Sequence, residues 1–559
     1  MKLLTALLLG SALAAAQDKP QDKPQDKNQY AAPQLGSIAG TVTAGAGGPP
    51  MKDVEVYVRR NTPQEQLAVT DQQGRYSIRD VAPGQIRISA NAPDASGRTG
   101  FGPYASRQVT LAPGQELAGV DFRLVIQGQI SGKVVDQNNE PVVGIAVTLV
   151  AREYSHGALR AVFAGAGNTD DQGAYRLPRV SPGRAYAVMA QRAWRTLPPI
   201  SDSPLDPALR LPAVVPTYYP NAPSIDGAEA VVLRPGERRE GVDIRLTRSL
   251  AFCLEGVLEG NSGPGAVHFN IAETQPASGR SGDGGVYMAT PGGASGPDGK
   301  VRICDLHPGE YELSVSESRS GGQSGRSQFG ATIVTIGGRD VAGVRVGLRP
   351  RIPVSGEVVF DGPAPEPPLT AKLRLAVAAI TRTEYGDVQS PIPGEFAFDG
   401  GLLMDEYGLD ITSVPAGVYI KDVTYGGRSM MYQTLRVGSA LGGAGLRVIL
   451  GRDGGSIGTR VADKDGNPVA DCTVVILPAT ASNEAEFATA LKTGKTDQAG
   501  AWSSPTMPPG KYFALATGET IDRSPETTGK LWKARNRGEE VEIAPSGNAS
   551  VALTPKALD

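Results

Sequence analysis

The sequence predicts an all-β protein, a tandem array of about five antiparallel β-sandwich domains that follows a signal peptide and a flexible linker. Three observations support this fold class. A strand-and-turn pattern recurs along the 559 residues at intervals of about one small domain. Glycine and proline are abundant, at 71 and 44 residues, which indicates many turns. Between the turns, apolar and polar residues alternate, as they do in strands with one buried face.

Length and charge limit the number of domains and the class of partner. Single hydrophobic cores stop growing near ~250–300 residues, so a chain of this length needs several domains. The 55 Lys and Arg residues nearly balance the 58 Asp and Glu residues. Because no charge of one sign dominates, no strong surface field is available to hold nucleic acid or an anionic membrane. We therefore expect no nucleic-acid partner.

The N-terminus has the pattern of a secretory signal peptide. Lys2 supplies a positive charge, an apolar run follows, and the alanines at 14–16 are small residues that suit cleavage after residue 16. The run is shorter than the ~20 residues of a membrane-spanning helix, so we expect no transmembrane span after cleavage. Residues 17–35 are polar and rich in the repeat DKPQ, which predicts a flexible linker. The expected location is secreted, periplasmic or cell-surface.

Each repeat begins with a short strand that contains Gly-x-Val or a variant of it. The glycines of these strands are Gly40, Gly132, Gly256, Gly356 and Gly458. A Thr-Asp-x-x-Gly turn then precedes an aromatic residue at Tyr76, Tyr175 and Trp502, or Val301 after a similar turn in the third repeat. Asp accepts hydrogen bonds from the backbone of such a turn, and Gly adopts the positive φ that it requires. We expect the aromatic residue to begin the next strand and to point into the core.

A Pro-Gly turn and an apolar strand complete the repeat. The turns lie at Gly84, Gly183, Gly309 and Gly510, with PAGVYI at Gly417 as the variant in the fourth repeat. Proline and glycine suit the two corners of a type II turn. The predicted domains are residues 36–125, 126–248 with a loop insertion, 249–349, 350–450, which is divergent, and 451–559 with a short helical insertion. That helix is predicted to begin at Ser524 and to cover the sandwich with Leu531 and Trp532.

The order Gly-x-Val, Asp-x-x-Gly-x-Tyr and Pro-Gly-x-Tyr resembles that of carboxypeptidase regulatory-like domains of secreted bacterial proteins. The resemblance implies a transthyretin-like (prealbumin-like) or immunoglobulin-like sandwich of the carbohydrate-binding-like fold. It covers repeats one and two best, three and five less well, and the fourth least. In the fourth repeat the Asp-x-x-Gly turn is missing, and GEFAF at Gly394 takes its place. The resemblance also implies carbohydrate binding as a candidate activity.

Motifs that could support chemistry coincide with parts of the repeat. HPGE at His307 matches a zinc-binding His-x-x-Glu pair, but no second histidine follows it in the sequence. Ser456 lies in a Gly-x-Ser-x-Gly match on a first strand, and no histidine follows for a triad. Asp463 opens a calcium-loop pattern whose twelfth residue is Val474 rather than an acid. We therefore predict no enzyme activity, no catalytic residue, no metal and no cofactor.

Two cysteines share the third repeat. Cys253 lies on its first strand, and Cys304 lies on the strand before its Pro-Gly turn. After export they form either a disulfide or two buried thiols. Cys472 has no candidate partner and is expected to be a packed thiol.

A small set of aromatic residues lies in predicted loops, outside the repeat pattern. Exposed rings can stack on sugars, whereas packed rings would cap sandwich ends or fill the junctions between domains. The candidates are Phe101, Tyr104, Trp194, Tyr218 and Tyr219.

These patterns predict a non-catalytic, secreted, multidomain binding or scaffolding protein, with carbohydrate binding through the loop aromatics as a candidate activity. Two alternatives stay open. One is a protein-interaction module of an outer-membrane or cell-surface assembly, and the other is an accessory or degenerate relative of a zinc carboxypeptidase. The expected partners are polysaccharides or cell-surface proteins.

Overall fold

The computed structural model describes residues 34–45, 48–58, 65–93, 103–192, 213–259, 267–273, 292–295, 298–317, 329–349, 351–366, 369–380, 385–438 and 445–558. The predicted signal peptide at 1–16 and the predicted linker up to residue 33 lie outside the described residues. The described part consists mainly of strands and contains two short α-helices. The predicted all-β sandwich fold is confirmed.

Five pairs of sheets follow one another along the chain and are called domains 1 to 5 below. Domain 1 contains β1 (Gly36–Ala44), β2 (Glu55–Val58), β3 (Gln66–Val69), β4 (Arg75–Val81), β5 (Gly84–Asn91), β6 (Tyr104–Leu111), β7 (Glu116–Leu117) and β8 (Phe122–Leu124). Domain 2 contains β9 (Gly128–Val135), β10 (Ile145–Ser155), β11 (Ala158–Asn168), β12 (Ala174–Val180), β13 (Ala185–Arg192), β14 (Ala213–Val214), β15 (Thr217–Tyr218), β16 (Val231–Val232), β17 (Arg238–Arg239), β18 (Ile244–Arg245) and β19 (Arg248–Ser249).

The strands of the C-terminal three domains continue this numbering. Domain 3 contains β20 (Phe252–Glu259), β21 (Val267–Glu273), β22 (Gly292–Ala294), β23 (Lys300–Leu306), β24 (Gly309–Glu317), β25 (Phe329–Ile336) and β26 (Val341–Gly347). Domain 4 contains β27 (Ser355–Phe360), β28 (Lys372–Ala379), β29 (Tyr385–Pro391), β30 (Gly394–Ala397), β31 (Asp405–Thr412), β32 (Tyr419–Tyr425), β33 (Arg428–Ser429), β34 (Leu435–Val437) and β35 (Leu446–Gly451). Domain 5 contains β36 (Ile457–Val461), β37 (Thr473–Pro478), α1 (Glu484–Ala490), β38 (Lys492–Lys495), β39 (Ala501–Ser503), β40 (Gly510–Thr517), α2 (Pro525–Ala534), β41 (Glu539–Ile543) and β42 (Ala549–Leu553).

The same strand pairing recurs in each domain. The Gly-x-Val strand pairs on one side with an antiparallel strand and on the other side with the parallel last strand, as β1 pairs with β4 and β8. The other sheet of domain 1 has the order β3-β2-β5-β6, and domain 5 repeats it as β38-β37-β40-β41. In the described residues, each of the five sandwiches encloses its own hydrophobic core. Two further apolar clusters lie on outer sheet faces of domains 2 and 5.

The Asp turn has the predicted geometry. The Oδ1 atom of Asp71 accepts hydrogen bonds from the backbone N–H of Gln73 at 2.9 Å and of Arg75 at 2.8 Å. Gly74 has a φ of 70°, a region that side chains rarely adopt. The turns at Asp170 and Asp497 repeat both hydrogen bonds. The local sequence is therefore sufficient to fix this corner of the sandwich.

One strand of domain 4 differs from the prediction. PAGVYI at Gly417 was expected to supply the strand after the Pro-Gly turn, but it leads into β32, which pairs with β35 in the other sheet. The expected position is taken by β31, which pairs with β28. Tyr407 of β31 is fully buried, and its hydroxyl donates to the backbone oxygen of Leu403 at 3.1 Å. An added strand in the first sheet explains why the sequence of this domain diverges.

Domain 5 contains the helix α2 between β40 and β41. The side chain of Ser524 accepts a hydrogen bond from the N–H of Thr527 and so caps α2, with Pro525 in the first turn. Leu531 of α2 is fully buried against the larger sheet, and Trp532 packs edge-on against Phe487 of α1 at a centroid distance of 5.1 Å. The two helices thereby cover the outer face of the sheet.

Candidate functional site

The aromatic residues predicted to bind a ligand are distributed over two domains. Phe101 and Trp194 lie outside the described residues. Tyr104 is the first residue of the edge strand β6 rather than a loop residue. Its side chain is 55% exposed, and its hydroxyl oxygen lies 3.3 Å from that of Ser89.

Tyr218 and Tyr219 pack within domain 2. Tyr218 belongs to β15, which pairs with β13, and it is only 4% exposed in a small cluster on the outer face of that sheet. Tyr219 packs half-buried against the main core. Strand pairing therefore places Tyr218 outside the predicted loop and covers its ring. Among the three described candidates, Tyr104 presents the largest exposed ring face.

The cysteines of domain 3 are paired in the structure. A disulfide joins Cys253 of β20 to Cys304 of the neighbouring strand β23. Cys472 is a free, fully buried thiol whose Sγ lies 3.3 Å from the backbone oxygen of Thr517. Burial raises the pKa of the Cys472 thiol, which disfavours the reactive thiolate.

His307 is part of a turn that several domains share. It is 7% exposed, and its Nδ1 lies 3.0 Å from the hydroxyl of Tyr311, which also donates to the His307 backbone oxygen at 2.9 Å. The hydroxyl of Tyr512 makes the same backbone bond to Pro508 at 2.8 Å. Because the same backbone bond forms at Pro508, where there is no imidazole, His307 occupies a structural position that does not require histidine.

The calcium-loop and nucleophile motifs also have structural roles. The Oδ1 atom of Asp463 accepts the N–H groups of Asp465 and Asn467, both at 2.9 Å, and these bonds lower the pKa of the carboxyl. The backbone and hydroxyl of Ser456 donate to Oδ1 of Asn548 at 2.9 and 3.0 Å. Across the described residues, no group of three or more His, Cys, Asp or Glu side chains could hold a metal ion.

Domain 2 extends a long hairpin toward domains 4 and 5. β10 and β11 have 11 residues each, and the ladder between β10 and β13 ends at Ala151. Residues 152–155 therefore project beyond the end of the ladder with β13, by about 14 Å at about 3.4 Å per residue. His156 and Gly157 form the turn, with φ of 48° and 74°, as in a two-residue type I′ turn.

Domain 4 contacts the tip of this hairpin through the outer face of β31. The Nε2 atom of His156 lies 3.3 Å from Oδ1 of Asp410. The imidazole covers Gly408, where a Cβ would lie 2.6 Å from the ring. The hydrogen bond from His156 lowers the pKa of Asp410, burial opposes it, and the charges of His156 and Arg523 lower it further. The contact thus stabilises the ionised carboxylate.

Domain 5 contacts the other side of the hairpin. The N–H of Tyr154 donates to the backbone oxygen of Arg523 at 2.8 Å, and its hydroxyl donates to Glu484 of α1 at 3.3 Å. The N–H of Gly157 donates to Oγ1 of Thr489 at 3.3 Å. Burial, together with the charge and hydrogen bonding of Glu484, raises the pKa of Tyr154. The hairpin seat is defined here as Gly408, Asp410, Glu484, Thr489 and Arg523.

Direct contacts hold the two sides of the hairpin seat together. The hydroxyl of Tyr419 in domain 4 donates to Oδ1 of Asp453 in the segment that leads to domain 5, at 2.8 Å. The ring of Tyr419 lies over Gly451, where a Cβ would be 2.2 Å from it. The N–H of Gly417 donates to Oγ1 of Thr506 at 3.1 Å. Domains 4 and 5 therefore present one composite surface to the hairpin.

Domain 1 matches the carboxypeptidase regulatory-like domain. The match covers residues 37–125 and confirms the predicted resemblance for that part of the chain. No curated protein sequence matches the chain. No helix in the described residues is long and apolar enough to cross a membrane.

The solved structures that match this chain include a pilin, at low identity and low TM-score. The Bacillus anthracis TIE protein is 12% identical over 93% of this chain and 73% of its own, with a TM-score of 0.14. The full-length major pilin RrgB from Streptococcus pneumoniae is 8% identical over 93% of this chain and 100% of its own, with a TM-score of 0.20. At these scores the likenesses carry no argument about the function of this chain.

The hairpin seat was not predicted from the sequence. In the sequence, His156 has no potential metal-ligand partner at a suitable spacing. A signal for the hairpin itself is present, since Ser155-His156-Gly157-Ala158 separates two alternating segments as a two-residue turn does. Nothing in that local pattern identifies Asp410 or Thr489, which lie 254 and 332 residues downstream.

Proposed function

We propose that this chain is a non-catalytic, exported scaffold that holds sandwich domains in a fixed arrangement and presents their surfaces to partners at the cell surface. The observation that carries the proposal is the seating of the domain 2 hairpin against domains 4 and 5. Short linkers alone would let the domains move relative to one another. Contacts between domains that are distant in sequence restrict this motion. A fixed array suits a supporting or spacing role.

Export is supported by two independent features. The N-terminal charge, apolar run and small residues have the pattern of a signal peptide. The disulfide between Cys253 and Cys304 is of the kind that persists in oxidising compartments. We therefore place the scaffold in the periplasm, on the cell surface or in the medium.

Cell-surface proteins are the proposed partners, with polysaccharide as a second candidate. Tyr104 supports the second candidate because its exposed ring lies at the edge of a sheet. Polysaccharide pull-down should then be lost in Tyr104→Ala and kept in Tyr385→Ala, whose side chain is 82% exposed in domain 4. Equal retention of both variants would remove Tyr104 from the binding surface.

Small-angle X-ray scattering of the full, disulfide-intact chain tests the scaffold. A profile that agrees with the seated arrangement, together with its presence in the exported fraction of cells, is the expected result. A profile of freely jointed domains would contradict the fixed array. Peptidase activity lost in His307→Ala would contradict the non-catalytic assignment, since it would give that imidazole a catalytic role.

A further inference from the structure

The hairpin contact bypasses one domain. His156 meets Asp410 across 254 residues, and Gly157 meets Thr489 across 332 residues. The covalent path from domain 2 to domain 4 runs through the whole of domain 3, β20 to β26. The chain is therefore closed into a loop, in which domain 3 forms the covalent arm and the hairpin forms the non-covalent arm.

The non-covalent arm is chemically suited to release. Its polar contacts include one 2.8 Å backbone bond at Tyr154 and three side-chain contacts of 3.3 Å. The His156 side chain is 21% exposed and that of Asp410 is 50% exposed. Such partly exposed pairs contribute little to stability. The contact resembles a transient interface more closely than it resembles the five hydrophobic cores.

The two surfaces are nevertheless specific for each other. The turn glycine Gly157 lies against the backbone of Tyr432, where a Cβ would be 2.3 Å from the carbonyl oxygen. Gly408 leaves room for the imidazole in the same way. Arg160 of β11 lies near Glu406 of β31. Burial lowers the pKa of Arg160, and the negative charge of Glu406 opposes that change. Steric fit and opposite charges both favour this hairpin as the occupant of the seat.

We infer that the hairpin and its seat form a reversible intramolecular latch. When the hairpin is seated, domains 2, 4 and 5 form one unit, and the hairpin rather than domain 3 holds them together. When it is released, domain 3 becomes the only link, and the molecule lengthens by a distance on the order of one domain, roughly 30 Å for a domain of about 100 residues. The latch rests on the proposed scaffold function and adds a second, extended state to it.

Gly408→Val tests the latch in the full, disulfide-intact chain. The new side chain would occupy the space of the His156 ring, whereas Gly347→Val is a matched control because no heavy atom lies within 4 Å of a Cβ there. We expect Gly408→Val to increase the maximum dimension in X-ray scattering by tens of ångströms and hydrogen exchange in a 150–160 peptide at least tenfold. The control should change neither quantity.

A second variant keeps the test independent of the folding of β31. His156→Asn retains a residue that tolerates positive φ before Gly157, but it is too short to reach Asp410 in the same way. We expect it to raise hairpin exchange with all five cores still protected. Unchanged exchange and dimensions in both folded variants would overturn the latch while leaving the compact scaffold in place.

Measurements on the wild-type chain distinguish a failure of the scaffold from a failure of the latch. An extended wild-type profile would overturn the scaffold arrangement itself, and the latch with it. Hairpin protection that rises with protein concentration, together with a doubled mass in light scattering, would show docking into a second copy and would overturn the intramolecular latch. Constant protection and monomeric mass across a hundredfold dilution are expected.

Discussion

The hydroxyl of Tyr76 donates a hydrogen bond to the backbone oxygen of Val120 at 2.5 Å, and this bond connects two motifs of the repeat. Tyr76 follows the Asp turn, and Val120 precedes the last strand. Gly40, the glycine of Gly-x-Val, lies beside the same oxygen, where a Cβ would be 2.1 Å away. Domain 2 repeats the arrangement with Tyr175 and Val242. The same backbone oxygen therefore explains both the tyrosine and the glycine of the repeat: the tyrosine donates to it, and the glycine leaves room for it.

Tyr76→Phe should destabilise domain 1 by about 1–3 kcal/mol, because the buried oxygen of Val120 loses its donor. The ring itself would remain in the core beside Phe122. The measurement is hydrogen exchange of β1 and β4 peptides in the full chain as a function of urea. Tyr385→Phe, at an 82% exposed position, is the control. Equal exchange in the two variants would show that the bond contributes nothing to stability.

Gly40→Ala should destabilise domain 1 more strongly, by about 3 kcal/mol or more, because the new methyl group would collide with backbone rather than with a movable side chain. Gly458→Ala is an unusually close control. It alters the same motif position in domain 5, where a Cβ would lie 3.8 Å from the oxygen of Ala549, an ordinary contact. Calorimetry of the full chain should show one transition lowered by Gly40→Ala and little change for Gly458→Ala. The reverse order would refute this explanation of the glycine.

The turns and strands were predictable because their causes are local. Asp71 and Gly74 fix a turn through atoms that lie within five residues, so the motif alone is sufficient. Domain 4 shows where this reasoning fails. The segment at Gly417 has the glycine and the apolar strand of the motif, whereas β31 follows Met404 and has no Pro-Gly turn. Only the pairing of β31 with β28 reveals which segment occupies the position.

The hairpin seat could not be predicted, because no local pattern encodes a contact between domains. His156 is ordinary in sequence, and Asp410 is one of many carboxylates on outer strand faces. The burial of Tyr218 was unpredictable for a similar reason. It depends on the short pairing of β15 with β13, and a proline-rich insertion separates these two strands in the sequence. In both cases the arrangement depends on where a distant segment returns to the fold.

Removal of the disulfide should destabilise domain 3 selectively. Cys253 and Cys304 are 51 residues apart, and closing a loop of that length stabilises a fold by about 2–4 kcal/mol. Cys253→Ser with Cys304→Ser should therefore lower the denaturant midpoint of β20 and β23 peptides in hydrogen exchange. Peptides from domain 5, whose single cysteine is unpaired, serve as the internal reference. A uniform loss across all domains, or no loss in domain 3, would contradict this role.

Acid should release the hairpin before it unfolds the cores. The pKa of Asp410 is lowered from its ordinary value of 3.8 by the hydrogen bond from His156 in the seated state. Ionised Asp410 therefore favours seating. This contribution is fully present above pH 3.8 and is lost as the pH falls through the lowered value. Exchange of the 150–160 peptide, corrected for intrinsic rates, should rise in that range relative to the core strand β5. In Asp410→Asn the seat should be weaker at neutral pH, and this acid-dependent step should be absent. An identical step in Asp410→Asn would assign the effect to another group.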